Sequence, residues 1–349
     1  MKDKLVAIYF LLYLSIVGSS VFIFEHNLYS LKTSKHPTGR RVCLVIIDGL
    51  RYDAVTKMDF LSKISSTSLG IMYKSLATSP SESRPGYERI ITGTDSPING
   101  IKNNKSYLPS LTPNLFYISN ISGLKTAASG FYWIKELYPI RIDREYYYYI
   151  KDGATFSKAI DFINTDQPDF ILIHPMAVDN AGHKYGGRSN EYDKSVKKLD
   201  EEIERTWNLI KDKGYTMLIT SDHGHRDEGG HGDMSKNSIE TPLIIIDKNL
   251  SSLNPAPSNI VRKQTDIAPT ICDILGIPKS IYMYGNSLVA HSREIYTIRQ
   301  QFASKYINDF ERFFKATSII TYLITASYTV IFMSGCFMAA GILNRYEKR

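Results

Sequence analysis

Ile219-Thr-Ser-Asp222-His223-Gly-His225-Arg-Asp-Glu-Gly-Gly-His231-Gly-Asp233 is the stretch that decides how the rest of the chain is read. It follows Tyr215–Thr220, a run that reads as a strand, and it opens on an aspartate and a histidine. Both are good ligands for a hard or borderline cation, and His231 follows between Gly230 and Gly232. Acidic and imidazole groups at the carboxyl end of a strand, followed by flexible glycines, form the pattern of a metal site rather than a core. A polar surface loop is the plainer alternative. Matching ligands in other stretches weigh against it.

Working outward, Val42–Ile47 is a nearly continuous apolar run, as in a strand buried on both faces. It ends in Asp48-Gly49, so a carboxylate again sits at a strand end, where a lone aspartate otherwise serves as a helix cap. Asp169–His174 is the next buried strand, and it runs into Pro175-Met-Ala-Val-Asp179-Asn-Ala-Gly182-His183. Asp179 and His183 are four apart, so one helical turn or compact loop presents both to one metal. Strands are also expected over 70–78, near 125–129 and over 241–246, and helices over 58–68, 113–120, 154–164, 190–211 and 266–275. In the fourth of these helices Val196, Leu199, Ile203, Trp207 and Ile210 share a face; in the last, Ile267, Ile271 and Leu275 do. The alternation predicts an α/β fold: a central, mostly parallel sheet with helices on both faces and ligands at carboxyl strand ends.

Thr78-Ser-Pro-Ser81-Glu-Ser-Arg84-Pro-Gly resembles a strand-to-helix entry. A serine there is adequately explained as a helix cap. A hydroxyl at that place also lies near backbone N–H groups that receive phosphate oxygens, and Arg84 would add a charge-assisted contact to the same anion. The aromatic runs Phe131–Ile134 and Tyr146–Tyr149 are expected to pack under a long loop, with pocket lining as the alternative. His174 reads as a hydrogen-bonded structural histidine, and His225 fits the metal scheme less directly.

The 349 residues allow one large domain with a real core. Net charge is +7, but the basic residues are scattered, so no nucleic-acid partner is inferred. Cys43, Cys272 and Cys336 fit neither a disulfide framework nor a zinc cluster. Residues 5–24 and 316–343 carry no charge. At about 1.5 Å per residue the first reaches across a ~30 Å hydrocarbon core, and the second is read the same way, though diluted by Thr, Ser and Gly. The expected organisation is an N-terminal tail 1–4, a transmembrane helix 5–24, a linker 25–40, a catalytic domain 41–290, an amphipathic helix 291–315, a transmembrane helix 316–343 and a basic tail 344–349. Both termini then share one side of the membrane. The positive-inside count does not choose that side.

Taken in order, Asp48-Gly-Leu-Arg, Pro-Ser81-Glu-Ser-Arg-Pro-Gly, Val-Asp179-Asn-Ala-Gly-His183 and Ser-Asp222-His-Gly…Gly-His231-Gly resemble the alkaline phosphatase superfamily. Within it they are similar to the type I phosphodiesterase/nucleotide pyrophosphatase branch and to the catalytic domain of glycosylphosphatidylinositol ethanolamine phosphate transferases. The resemblance covers about residues 40–290. It implies two zinc ions, with manganese or magnesium as alternatives: one held by Asp48, Ser81, Asp222 and His223, the other by Asp179, His183 and His231. It also implies that Ser81 attacks phosphorus and forms a covalent intermediate. Thr78, Ser79 and Ser83 are neighbouring hydroxyls; Ser81 is the one taken to match the motif position. Two divalent cations would balance three carboxylates and one serine alkoxide.

The reading that leads narrowly is a membrane-anchored two-zinc phosphodiesterase, because the chain lacks the long multi-span C-terminal region expected of the eukaryotic transferases. The alternatives are transfer of phosphoethanolamine from phosphatidylethanolamine to a glycan or glycolipid, and a catalytically silent phosphate-ester-binding domain. The expected substrate is thus a phosphodiester or phospholipid. Family analogy puts the catalytic domain outside the cytoplasm, in the periplasm or extracellular space, or in the ER lumen of a eukaryote.

Overall fold

A computed structural model describes residues 37–110, 112–150 and 153–289. The expected spans 5–24 and 316–343 and the amphipathic stretch 291–315 lie outside the described residues. Among the described residues no helix is long and apolar enough to cross a membrane.

Eight strands form one sheet: β1 (Arg41–Ile46), β2 (Gly70–Leu76), β3 (Thr126–Phe131), β4 (Arg144–Tyr148), β5 (Phe170–His174), β6 (Tyr215–Thr220), β7 (Glu240–Ile246) and β8 (Arg262–Lys263). Their order is β4-β3-β5-β1-β6-β7-β2-β8. The run from β4 to β6 is parallel throughout, whereas β7 is antiparallel to both β6 and β2. The main helices are α1 (Asp59–Ile64), α2 (Ser83–Thr92), α3 (Leu115–Ile121), α4 (Trp133–Leu137), α5 (Thr155–Thr165), α6 (Ala177–Tyr185), α7 (Asn190–Ile210) and α8 (Ile267–Leu275).

The central strand explains the layering. Val42, Leu44 and Ile46 of β1 pack on one face with Tyr87, Ile90 and Ile91 of α2 and Ile267 and Ile271 of α8. Cys43, Val45 and Ile47 pack on the other with Tyr192, Val196, Leu199, Ile203, Trp207 and Ile210 of α7. Successive β1 residues point to opposite faces and both faces are covered, hence the unbroken apolar run. Each fully buried Val, Leu or Ile contributes about 1.5–3 kcal/mol of transfer free energy. The expected mostly parallel sheet with helices on both faces is what is found.

Two local readings change. The helix expected over 58–68 stops at Ile64, because the hydroxyls of Ser65, Ser66 and Thr67 bond back to the carbonyls of Leu61, Ser62 and Ile64 and compete with its continuation. Tyr146–Tyr148, where no strand was expected, belong to the edge strand β4, with Tyr148 packed against Phe131 at 5.6 Å between centroids as the packing reading had it.

The face under α2 holds a buried acid. Ser110 Oγ donates to Glu88 Oε2 at 2.7 Å, and the buried Tyr138 hydroxyl bonds the same carboxyl. Burial pushes this carboxyl up to about 8. A carboxyl raised above its unfolded value stabilises the fold at low pH, and that contribution is lost as pH climbs through the folded value. Glu88→Gln is therefore expected to hold its stability from pH ~5 to pH ~8 better than the parent, by on the order of 1–3 kcal/mol. Parallel denaturation series check this. Identical pH slopes for the two proteins would remove Glu88 as the cause.

Candidate metal centre

The candidate ligands come from the carboxyl ends of three adjacent strands, β5, β1 and β6. Asp48 follows β1, Asp222 and His223 follow β6, and Asp179 and His183 stand one turn apart on α6, directly after β5. His231 returns on the glycine-rich loop after β6. His174, His223 and His225 are fully buried, as are Asp48 and Asp222.

Among the described residues three His/Asp groups could coordinate a divalent cation, and two of them are built from the expected ligands. In the first, the donor atoms of Asp48, Asp222 and His223 lie within 4.8 Å of one another. His223 Nε2 is 3.4 Å from Asp48 Oδ1 and 3.3 Å from Asp222 Oδ2. Its Nδ1 lies 3.0 Å from the Gly224 carbonyl oxygen, so Nδ1 carries the proton and the Nε2 lone pair faces the carboxylates. Asp48 Oδ2 accepts from the Tyr87 hydroxyl and lies 3.3 Å from His174 Nε2; Asp222 Oδ1 accepts from Gly49 N–H at 3.2 Å. That leaves Asp48 Oδ1 and Asp222 Oδ2 buried with no hydrogen-bond partner. Two orphaned carboxylate oxygens beside an imidazole lone pair are what a cation would satisfy.

In the second cluster, Asp179, His183 and His231 offer donor atoms within the same 4.8 Å limit. The Nε2 atoms of His183 and His231 face each other at 3.1 Å, and Asp179 Oδ1 is 3.5 Å from the first and 3.9 Å from the second. His231 Nδ1 donates to the Ser81 carbonyl at 2.9 Å, which turns Nε2 inward. The two clusters adjoin: the His223 and His231 rings stack with centroids 3.6 Å apart.

Electrostatics support the same fit. Burial, then the neighbouring Asp48 charge, pushes Asp179 up to about 7. Burial, then the charges of Asp48 and Asp179, pushes Asp222 well above the usual carboxylate range. Burial would raise Asp48 too, but hydrogen bonds from His174 and Tyr87 act against it, and that carboxyl is held low. Burial pushes His223 and His183 below the usual imidazole range, which favours the neutral form that a ligand needs. A cation is the charge that would let all three carboxylates ionise together.

The serine assignment comes out differently. Ser81 Oγ donates to the Asp233 carbonyl at 2.7 Å and accepts from Gly232 N–H at 3.0 Å, so it straps the His231 loop to the entry of α2. Ser83, the first residue of α2, is the hydroxyl that faces the ligands: its Oγ is 3.1 Å from His223 Nε2. Gly86 lets the helix come this close, since a Cβ there would stand 2.7 Å from Asp222 Cβ.

Arg84 also departs from expectation. Its guanidinium is buried, ion-paired with Glu136, bonded to the Ser106 carbonyl at 3.2 Å and flanked by Trp133 at 4.6 Å and Tyr107 at 5.5 Å. Its fork is engaged by the protein rather than held out for phosphate. His174, read as structural, supports Asp48. Sequence reasoning named Ser83 and His225 but gave neither a role, and it missed Tyr87. Tyr87 carries no sequence signal beyond its place one turn into the helix.

Comparisons with known proteins agree with this architecture. The family described as type I phosphodiesterase / nucleotide pyrophosphatase matches residues 42–234. GPI ethanolamine phosphate transferase 1 of Saccharomyces cerevisiae is 24% identical over 311 residues, covering 72% of this chain and 34% of that protein. Its Homo sapiens counterpart is 23% identical over 314 residues, covering 72% and 33%. The chain thus spans about a third of the length of these curated relatives. Among solved structures, murine ectonucleotide pyrophosphatase / phosphodiesterase 5 shares the fold at a TM-score of 0.58 and 13% identity, over 75% of this chain and 100% of that one. The C-terminal periplasmic domain of EcEptC from Escherichia coli does so at 0.53 and 14%, over 75% and 89%. With more than half of its length inside the family match and both metal-capable clusters drawn from that stretch, the chain belongs to the type I phosphodiesterase / nucleotide pyrophosphatase family of the alkaline phosphatase superfamily, and is a metal-dependent enzyme of the phosphoesterase and phosphotransferase type.

Proposed function

We propose that the chain transfers phosphoethanolamine from a phospholipid such as phosphatidylethanolamine to a hydroxyl of a glycan or glycolipid, with Ser83 as the attacking residue. The donor class is suggested by the names of the curated relatives, GPI ethanolamine phosphate transferases, matched over 72% of this chain. The observation that carries the chemistry is the buried Ser83 hydroxyl beside His223, at the first turn of a helix packed against Asp222.

Asp48, Asp222, His223 and Ser83 would hold one cation, and Asp179, His183 and His231 the other. Zinc suits a donor set in which imidazoles match carboxylates in number, better than magnesium would. Bound at these places, such cations would neutralise charge at phosphorus and make the Ser83 hydroxyl easier to deprotonate. Ser83 Oγ attacks phosphorus; the Ser–O–P bond forms as the bond to the diacylglycerol oxygen breaks, and diacylglycerol leaves with the proton that Ser83 gives up. The acceptor hydroxyl then attacks the same phosphorus, and Ser83 departs and regains a proton. Ser81 holds the His231 loop, and Tyr87 with His174 fixes the Asp48 carboxylate. On this reading 41–290 is the catalytic domain, and the charge-free stretches 5–24 and 316–343 anchor it at the extracytoplasmic membrane face, near its lipid donor.

Hydrolysis is the second reading, favoured by the match to a family described as phosphodiesterases. Intact-mass spectrometry of zinc-loaded, detergent-purified protein incubated with phosphatidylethanolamine separates the two. The expected result is a phosphoethanolamine adduct on Ser83 that water removes slowly and an added glycolipid removes fast. Cleavage of bis-p-nitrophenyl phosphate with no lipid-derived adduct would leave hydrolysis standing and end the transfer reading.

A further inference from the structure

His225 belongs to neither ligand set above, yet the centre is built around it. Its imidazole is fully buried. It lies in a slot whose walls are glycine backbone. A Cβ on Gly49 would stand 2.9 Å from His225 Cδ2 and Nε2, and one on Gly182 would stand 2.5 Å from Cδ2 and 2.6 Å from Nε2. A third glycine, Gly187, clears the His225 Cβ, which a Cβ there would approach to 3.0 Å. Real side chains do not tolerate the first two contacts, so the segments carrying Asp48 and His183 have both given up a side chain where this ring lies. Gly49 also has a φ of +72°, which a larger residue would rarely adopt.

The ring in this slot aims Nε2 at Asp179 Oδ1, 2.9 Å away. That oxygen also faces the opposed nitrogens of His183 and His231. A carboxylate oxygen has two lone pairs: one would take the His225 N–H while the other remains for a cation. We infer that His225 is a positioning residue for the Asp179–His183–His231 site, holding Asp179 Oδ1 at the cation through an Nε2–H hydrogen bond. A carboxylate left to rotate would lose that aim, and outer hydrogen-bond partners of metal ligands typically matter by about 10–100-fold in affinity. The inference rests on the two-cation reading. The rival role is direct ligation, since the donor atoms of Asp179, His223 and His225 also lie within 4.8 Å of one another.

The test is titration of Co²⁺ into chelator-stripped full-length protein, followed by visible absorption and by bound metal per chain. The parent is expected to take up two cations. His225→Ala should weaken one binding step by about 10–100-fold and leave the other alone. His225→Gln, whose amide N–H reaches nearly the same place, should recover most of that loss. The absorption band shape should match the parent's in both variants, because the ligands are unchanged. Gly182→Ala, which drives a methyl group into the ring, should reproduce the one-step loss with His225 still present, separating the effect from an emptied slot. Unaltered affinity in His225→Ala overturns the inference, and so does a changed band shape, which would make His225 a ligand. A parent that binds fewer than two cations overturns both the inference and the reading beneath it.

Discussion

Ser83→Ala is expected to abolish turnover, by on the order of 10³-fold or more, while Ser81→Ala is expected to keep the reaction and lose only part of its rate. The contrast follows from where the two hydroxyls are spent. The Ser81 hydroxyl is engaged by Asp233 O and Gly232 N–H. Removing it loosens the His231 loop, which keeps the His231 Nδ1 bond to the Ser81 carbonyl, and leaves two backbone groups to find other partners, at about 1–3 kcal/mol. The Ser83 hydroxyl has His223 Nε2 as its partner, and that nitrogen in turn lies 3.4 Å from Asp48 Oδ1 and 3.3 Å from Asp222 Oδ2. On the proposed mechanism its loss removes the attacking hydroxyl, and the fold is expected to stay intact. Ser83→Thr keeps an alcohol at the helix start and is expected to retain measurable activity. The measurement is kcat for the three variants on one phosphodiester substrate, with melting temperatures as controls. Loss of turnover in Ser81→Ala, with Ser83→Ala active, would return the role to Ser81.

Asp222→Asn is expected to move stability in opposite directions with and without metal. In stripped protein Asp222 is buried between Asp48 and Asp179, and burial and their charges push its carboxyl well above the usual range. A group whose folded value is raised stabilises at low pH and loses that contribution as pH rises through the folded value. Asparagine cannot ionise and keeps an oxygen for the Gly49 N–H, so stripped Asp222→Asn should be the more stable protein at high pH, by about 1–3 kcal/mol. In zinc the order reverses. The parent gains about 2.7 kcal/mol when free metal is 100 times its dissociation constant, whereas the variant has lost a charged ligand and gains less. Melting curves in chelator and in zinc, with bound metal assayed alongside, check both arms. A variant that binds zinc as the parent does would take Asp222 out of the ligand set.

Much of this was legible in the chain. The unbroken apolar run before Asp48 required a strand covered on both faces, and α7 buries the very stripe its spacing marked. Asp48, Asp179 and Asp222 were legible because a carboxylate directly after a buried strand or at the turn beyond it has few other uses, and strand ends converge in a parallel sheet. These are local signals: period, length and the residue that terminates an element.

Ser83, Arg84 and His225 were decided elsewhere. Ser81 and Ser83 are two residues apart at one helix entry, and local sequence favours neither. The choice came from how α2 meets the loop after β6, which Gly86 sets by letting Asp222 approach. Arg84 looked like an anion ligand until Trp133, Glu136 and Tyr107, from remote segments, enclosed it. His225 fitted the metal scheme less directly until Gly49 and Gly182, from two separate segments, closed around its ring. Sequence by itself determined the sheet and the residues delivered to its carboxyl edge. Tertiary structure alone decided which of them face one another, because the contacts that aim a side chain are made by residues far away in the chain.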